Sequence, residues 1–168
     1  MKLRIFFLLL FIALFLGSSR DDFYNPSDYF PVLMERKDLE VSIKFRDALE
    51  IINPGKIYYK DRIIYLNERY KGIHVIDNHV PSDPQNIGFI NIPGCIDIAI
   101  KNNSLLADNA TDLVAINISD LEHLSVTDRI QNVFPESTPP DLDYIPYMFT
   151  VANRPRNTII VGWEKINN

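Results

Sequence analysis

The feature that most constrains the fold is a repeated succession of strand-like runs. From residue 53 onward, apolar and polar residues alternate with a period of two, in runs rich in Ile, Val, Tyr and Phe. Such alternation is typical of half-buried β-strands. The first four runs are KIYYKD, RIIYLNERY, GIHVIDN and QNIGFINI, and the order returns as CIDIAIKN, SLLADNA, DLVAINIS and LSVTDRIQNV. The sequence therefore predicts two units of four antiparallel strands, at about residues 55–94 and 95–134.

The two units align at a nearly constant spacing. Lys60 aligns with Lys101 at a spacing of 41 residues, whereas Asp77 aligns with Asn117 at a spacing of 40. One residue is therefore lost from an intervening loop, where length changes are tolerated best. A period near 40 residues with four strands in each copy is typical of propeller blades. Because a closed propeller has about four to eight blades, we do not expect this chain to close a ring by itself.

A short helix is expected before the two units. Pro31 can open a helix, and the residues from 34 to 40 are rich in helix formers. Val32, Leu33 and Leu39 are loosely spaced for one apolar face.

After the two units the pattern is less regular. A proline-rich loop occupies residues 135–146, and NTIIVGWEKI reads as a last strand in which Ile159, Val161 and Trp163 share one face. Residues 147–163 are expected to form a hairpin around NRPRN. The loop and Trp163 are candidates for covering the sheet face that two units leave open. The expected fold class is all-β, with two four-stranded antiparallel propeller-like blades, a C-terminal hairpin and one short N-terminal helix.

The N-terminus carries the three-part pattern of a secretory signal. Lys2 and Arg4 precede an uninterrupted apolar run at residues 5–16, and small residues follow at 17–19. This run is shorter than the roughly 20 residues that a membrane-spanning helix needs, so export with cleavage is favoured over an anchor. The expected organisation is a signal peptide at 1–19, a tether at 20–30 and a β domain at 31–168.

The net charge of the chain narrows the choice of partners. The whole chain has a formal net charge of −5, and removing residues 1–19 takes away Lys2 and Arg4, which leaves −7. No run of Lys and Arg offers the concentrated basic surface that phosphates require, so nucleic acid is not an expected partner.

Cys95 is the single cysteine of the chain, so no intramolecular disulfide can form. We expect Cys95 to be a buried strand residue.

The strand ending GIHVIDN, its copy LVAINIS and the spacing between them resemble the LVIVD-repeat proteins, β-propeller-like chains found among exported lipoproteins of Bacteroidota-type bacteria. The block PVLMERKDLEVSI followed by NPGKIYYKDRIIYLNERYKGIHVIDN is also similar to the entry region of that family. The resemblance covers about residues 30–134. It implies an exported protein in the periplasm or cell envelope of a Gram-negative bacterium, and it transfers no catalytic or binding residue.

One position departs from the pattern of that family. A lipoprotein of the family would carry a cysteine, acylated after cleavage, just after a stretch such as Leu-Gly-Ser, but Ser19 stands at this place. Serine has no thiol for a thioether bond. The sequence therefore predicts ordinary cleavage or an uncleaved anchor, and membrane contact only through the N-terminal segment if it is retained.

The sequence contains no motif that identifies catalytic, cofactor-binding or metal-binding residues, and we predict none. His74, His79 and His123 are scattered, and the first two should lie on opposite faces of a strand end. The chain has no G-x-S-x-G pattern and no cluster of glycines that would bind a phosphate.

Two groups of residues are ambiguous between structure and function. The first group is acidic residues that follow strand ends and turns: Asp97, Asp108, Asp112, Asp120 and Asp128. Aspartates at such positions commonly cap turns, but in the fold these could also form a calcium site or a carboxylate pair. The second group is four tyrosines that are close in sequence: Tyr58, Tyr59, Tyr65 and Tyr70. Tyrosine is favoured in strands, but an exposed cluster of tyrosines could also bind a sugar or a peptide.

These observations favour a non-enzymatic, exported repeat protein of the cell envelope, acting as an interaction or scaffold module for an unknown protein or glycan. The alternative is an envelope enzyme that acts on carbohydrate through acidic residues converging in the fold. A pocket with two carboxyl groups of raised pKa would favour the enzyme. A third interpretation is a structural piece of a longer repeat protein, which further repeats in a neighbouring reading frame would favour.

Overall fold

The computed structural model describes residues 26–166, so the expected signal peptide at 1–19 and most of the tether at 20–30 lie outside the described residues. The strands are β1 (Tyr29–Glu35), β2 (Lys44–Arg46), β3 (Pro54–Lys60), β4 (Ile63–Glu68), β5 (Gly72–Asp77), β6 (Gln85–Asn91), β7 (Ile98–Lys101), β8 (Ser104–Asn109), β9 (Asp112–Asn117), β10 (Ser125–Ile130) and β11 (Thr158–Lys165). One α-helix, α1 (Arg36–Glu40), and one 3₁₀ turn (Tyr147–Phe149) complete the described elements. The expected all-β class with one short N-terminal helix is confirmed.

The first sheet has the strand order β2-β6-β5-β4-β3 and is antiparallel throughout. Its four consecutive strands β3 to β6 form a meander, and β2 adds a fifth strand beside β6. The turn between β3 and β4 contains Asp61 and Arg62, with φ of 51° and 62°, as a tight hairpin turn requires. Glycine at position 88 leaves room for the Phe45 side chain of β2, because a Cβ atom there would lie 2.1 Å from the Phe45 ring.

The second sheet, β10-β9-β8-β7, is a meander with the same pairing pattern. Lys101 pairs with Ser104 across a two-residue turn, as Lys60 pairs with Ile63 in the first sheet. The loop between β4 and β5 has three residues, 69–71, whereas the loop between β8 and β9 has two, 110 and 111. The change in spacing from 41 to 40 therefore falls in this loop.

The main core lies between the first two sheets. We call the face of the first sheet that packs here its front, and it carries Tyr58, Tyr65, Ile73 and Val75. We call the face of the second sheet that packs here its back, and it carries Ile98, Ile100, Leu105, Val114 and Ile116. Burying each large apolar side chain contributes about 1.5–3 kcal/mol.

The third sheet joins the two ends of the described chain, because β11 pairs with β1. The ladder runs from Tyr29 opposite Lys165 to Glu35 opposite Thr158. The expected C-terminal hairpin at residues 147–163 is therefore wrong. The segment before β11 contains a 3₁₀ turn and prolines that cannot donate ladder hydrogen bonds, whereas β1 offers β11 an apolar strand.

The expected position of the N-terminal helix also needs correction. Pro31 lies inside β1 opposite Trp163, and α1 begins only at Arg36. Proline is tolerated here because β1 is an edge strand. β1 begins at Tyr29, two residues before the expected boundary of the β domain at residue 31.

A β-bulge in β11 changes which side chains share a face. Val32 pairs with Gly162 and Leu33 pairs with Ile160, so Val161 is an extra residue in the ladder. Alternation therefore shifts by one position, and Trp163 packs with Ile160 and Phe149 rather than with Val161. Ile159 and Val161 lie on the same side as expected, but the expectation that Trp163 shares their face is wrong for this reason.

Trp163 is buried in a small cluster with Phe149 and Ile160, apart from the main core. It is 6% exposed, and its ring stands 6.0 Å from that of Phe149 in an edge-to-face arrangement. Cys95 is fully buried as expected, but it lies in the connection between the first two sheets and not in a strand. The amide of Tyr70 donates to its carbonyl oxygen at 2.8 Å, so this connection is tied to the loop between β4 and β5.

Candidate functional site

An apolar cleft of about 680 Å³ lies against the second sheet, on the face opposite its back. We call this face the front of the second sheet; it carries Ala99, Leu106, Leu113 and Ala115. The loop after β10 forms the other wall through Phe134 and Pro135, and Ile160 of β11 closes one end. Ile96, Leu106 and Phe134 are 39%, 38% and 39% exposed, so the cleft presents large apolar side chains to solvent.

Buried polar contacts fix the wall formed by the loop. Both guanidinium amino groups of Arg154 donate to the carboxylate of Glu136, and Arg154 is 8% exposed. The same guanidinium donates to the carbonyl oxygen of Thr158 at 3.0 Å. The indole Nε1 of Trp163 donates to the carbonyl oxygen of Ser137, also at 3.0 Å. The cleft is therefore preformed, which lowers the entropic cost of binding.

Asp108 is the carboxyl group at the floor of this cleft. Its Oδ1 accepts hydrogen bonds from the amides of Ile96 and Asp97, at 2.9 and 2.8 Å. Burial nevertheless raises the pKa of Asp108, and the negative charge of Asp97 acts in the same direction. The pKa of Asp97 is lowered by its hydrogen bond from Lys56. Two adjacent carboxyl groups thus have pKa values shifted in opposite directions.

Cys95 lies beside this carboxylate but is chemically protected. Burial raises the pKa of the Cys95 thiol well above its usual range, and the charge of Asp108 raises it further. Nδ2 of Asn67 donates to its sulfur at 3.3 Å. A protonated, fully buried thiol is a poor nucleophile, so Cys95 serves packing.

Asp112 binds two arginines from different parts of the chain. Its side chain is fully buried, and its Oδ2 accepts from Arg36 at 2.6 Å and from Arg129 at 2.7 Å. Burial alone would raise the pKa of Asp112, but the two arginines and the amide of Asn132 together lower it. Asp112 therefore connects α1 to the second sheet, and its role is structural.

Glu68 has a similar role in the first sheet. It is 2% exposed, and its carboxylate accepts from the amides of Ile52 and Asn53 at 3.1 and 2.6 Å. Nε2 of the buried His74 donates to it at 3.1 Å. Burial would raise the pKa of Glu68, but these hydrogen bonds lower it. The segment from residue 47 to 53, which connects the two edge strands β2 and β3, is held against the sheet in this way.

The remaining histidines are exposed, and each lies beside an aspartate close to it in sequence. Nδ1 of His79 lies 2.5 Å from Asp77, and Nδ1 of His123 lies 2.9 Å from Asp120. Between residues 26 and 166, no group of three or more His, Cys, Asp or Glu side chains could hold a metal ion.

The acidic and tyrosine candidates separate in the fold. Asp97 and Asp108 meet at the cleft, whereas Asp112 is buried at the arginines, and Asp120 and Asp128 are exposed elsewhere. Tyr58 and Tyr65 lie on the front of the first sheet and Tyr59 on its opposite face, as alternation along β3 requires. The tyrosines therefore do not form one exposed aromatic surface.

The sequence indicated that the loop at 135–146 would cover an open sheet face, but not that a cleft would remain between the loop and the sheet. Phe134 and Glu136 belong to a stretch without periodicity, and their positions depend on Arg154 and Trp163, which are distant in sequence. The acidic residues after strand ends gave the one available signal, since Asp108 was among them.

No protein-family model matches the chain, and neither the curated proteins nor the solved structures include a match. Helices within residues 26–166 are too short or too polar to cross a membrane.

Proposed function

We propose that the chain is a non-enzymatic interaction or scaffold module of the bacterial cell envelope, and that it binds a protein segment in the cleft on the second sheet. The observation that carries the proposal is the preformed apolar cleft, with Ile96, Leu106 and Phe134 accessible in it. Concave, apolar surfaces with a few fixed polar groups are typical of binding sites.

The chemistry of the cleft supports a protein segment over a glycan. Its walls are mainly aliphatic, and Phe134 is the single aromatic residue that lines it. Glu136 is engaged by Arg154, and Asp108 accepts backbone hydrogen bonds, so few polar groups are available for sugar hydroxyls. An extended apolar segment would bury these side chains at little polar cost.

Two further features support the wider proposal. The first two sheets share strand order, turn positions and pairing register, which supports an origin by repetition of the kind seen in LVIVD-repeat, propeller-like proteins. The pattern of residues 1–19 supports export. A formal net charge of −5 opposes nucleic acid as a partner.

A peptide-selection experiment tests this function. A displayed library of extended peptides is selected on the full-length chain, and the affinity of synthetic selected peptides is measured by fluorescence anisotropy. Phe134→Asp should weaken binding about tenfold or more, because it places a charge on the apolar wall. Tyr144→Asp is the matched control, since Tyr144 is 51% exposed and does not line the cleft. Equal affinities for the two variants would refute the assignment of the cleft.

A second candidate function rests on the two carboxyl groups in the cleft. Opposite pKa shifts in adjacent carboxyl groups are typical of acid–base pairs, and here the pKa of Asp108 is raised while that of Asp97 is lowered. Only the pKa of Asp108 is raised, so the pair meets one half of the condition that would favour an envelope enzyme acting on carbohydrate. Hydrolysis of a panel of glycans that is abolished by Asp108→Asn would establish the enzyme in place of the binding module.

A further inference from the structure

Each outer face of the first two sheets carries a patch of apolar side chains. The front of the second sheet carries Ala99, Leu106, Leu113 and Ala115. The face of the first sheet opposite its front, which we call its back, carries Ile57, Tyr59, Ile64 and Ile76. Ile57 is 68% exposed and Tyr59 is 59% exposed.

Each outer face corresponds by position to a face that is already buried. At the spacing of 41 residues, Ile57 and Tyr59 correspond to Ile98 and Ile100, which are 8% and 6% exposed in the core between the sheets. Leu106, which is 38% exposed, corresponds in the same way to Tyr65, which is 6% exposed.

The chain therefore already contains one example of the contact that the outer faces could make. Inside the molecule, the front of the first sheet packs on the back of the second. The front of the second sheet and the back of the first are the corresponding pair, and they lie on opposite sides of the same molecule. One chain cannot bring them together, but two chains can.

We propose that the chain associates head to tail, with the front of the second sheet of one copy packed on the back of the first sheet of the next. This inference goes beyond the proposed binding of a segment in the cleft and names a second copy of this chain as a further partner. Contact between two different faces is heterologous, so it produces closed rings or open filaments rather than symmetric dimers.

Segments of the chain cover part of each outer face. On the first sheet, residues 47–53 cross from β2 to β3 and lie over the end of the sheet that contains Glu68. On the second sheet, residues 134–138 and Ile160 cover the end that contains Asp108. The segment at 47–53 also reaches Asn86 beside Ile76, because Asn86 donates to the carbonyl oxygen of Leu49, so the back of the first sheet is most exposed along β3, at Ile57 and Tyr59.

Charge complementarity supports the same direction of packing. Within the chain, Lys56 of the first sheet forms an ion pair with Asp97 beside the second sheet. These two positions correspond to each other at the spacing of 41 residues. In a head-to-tail contact, Asp97 of one copy would therefore take the place of Lys56 and meet Lys56 of the next copy, again with opposite charges.

The test measures the association of the full-length chain, purified in a mild detergent, by sedimentation velocity over a wide range of concentration. We expect species larger than the monomer that grow with concentration. Tyr59→Arg alters the back of the first sheet, and Leu106→Arg alters the front of the second. Each variant should weaken association about tenfold or more, because it places an unpaired charge in the contact. Val151→Arg, at a residue that is 71% exposed elsewhere, is the control and should associate as the unaltered chain does.

Mixing the two variants gives the sharper result. Each retains one unaltered face, so an equimolar mixture should form one-to-one pairs that grow no further. A mixture that stays monomeric, or association that neither variant weakens, would overturn the proposal. Ile57→Arg and Ala99→Arg repeat the test at exposed positions on the same two faces, should either first variant fail to melt cooperatively.

The proposed function is tested separately by the selected peptides. If the chain remains monomeric at every concentration but still binds a peptide that Phe134→Asp weakens, then head-to-tail association is refuted and the interaction function stands. If neither occurs and glycans are hydrolysed, both proposals are refuted.

Discussion

Asp112 holds together parts of the molecule that are far apart in sequence. It is fully buried, and its partners Arg36 and Arg129 come from α1 and β10. Removing the Asp112 carboxylate should destabilise the fold mainly because two guanidinium groups would then lack their buried counter-charge.

Asp112→Asn should therefore lower the free energy of unfolding by about 3 kcal/mol or more. Urea denaturation followed by intrinsic fluorescence measures this change. Asp143→Asn, which makes the same substitution at an exposed position, is the matched control and should remain within about 0.5 kcal/mol of the unaltered chain. Equal midpoints for the two variants would show that the arginines are satisfied without Asp112.

Acid should remove the stability that Asp112 and Glu68 contribute. The folded state lowers the pKa of both groups, so their contribution is complete above the ordinary carboxyl pKa of about 4 and is lost as the pH falls toward the lowered values. We expect the unaltered chain to lose stability over this interval, and Asp112→Asn to lose less because one of the two groups is absent. Urea midpoints measured from neutral pH downward test this; parallel curves for the two proteins would contradict it.

At the scale of single residues, the sequence located acidic positions but could not assign their roles. Asp108 lies near the end of β8 and Asp112 begins β9, yet one faces a cleft and the other is buried between arginines. The difference depends on Arg36 and Arg129, whose approach is a property of the tertiary fold. Local pattern cannot encode it.

At the scale of elements, local alternation predicted the eight strands from β3 to β10, because each pairs with a neighbour in sequence. The predicted C-terminal hairpin at 147–163 is wrong because β11 pairs with β1, at the other end of the described chain. The predicted face of Trp163 is wrong for a related reason. The bulge at Val161 depends on the register with β1, which local alternation does not contain.

Deleting residues 158–168 should prevent a stable fold. The deletion removes four buried apolar side chains: Ile159, Ile160, Val161 and Trp163. At about 1.5–3 kcal/mol each, their loss is comparable to the entire stability of a small domain, about 5–15 kcal/mol. We expect loss of the cooperative melt, and aggregates on size-exclusion chromatography with light scattering. Glu164→Gln, an exposed substitution on the same strand, should leave both measurements unchanged. A deletion variant that stays monomeric with the same melting temperature would show that β11 is peripheral.

At the scale of the whole molecule, two sheets pack front to back and the third spans one end of both. Its residues contact Ala110 beside the second sheet and Tyr70 beside the first. The sequence anticipated that two four-stranded units would leave a face open and that the Trp163 strand would cover part of it. It could not show that a cleft would remain, because the cleft depends on how far the loop at 134–138 stands from Leu106.

The pairing of β1 with β11 also sets an order of events during synthesis. Of the described strands, β1 is made first and its partner β11 last, whereas β3 to β10 can pair with neighbours as soon as they appear. Until then β1 is an unpaired strand with Val32, Leu33 and Met34 uncovered, which is a hazard for association with other nascent chains. We therefore expect the pairing of β1 with β11 to be the last step of folding, so that a nascent chain that stops before residue 158 has an unattached first strand and no stable fold.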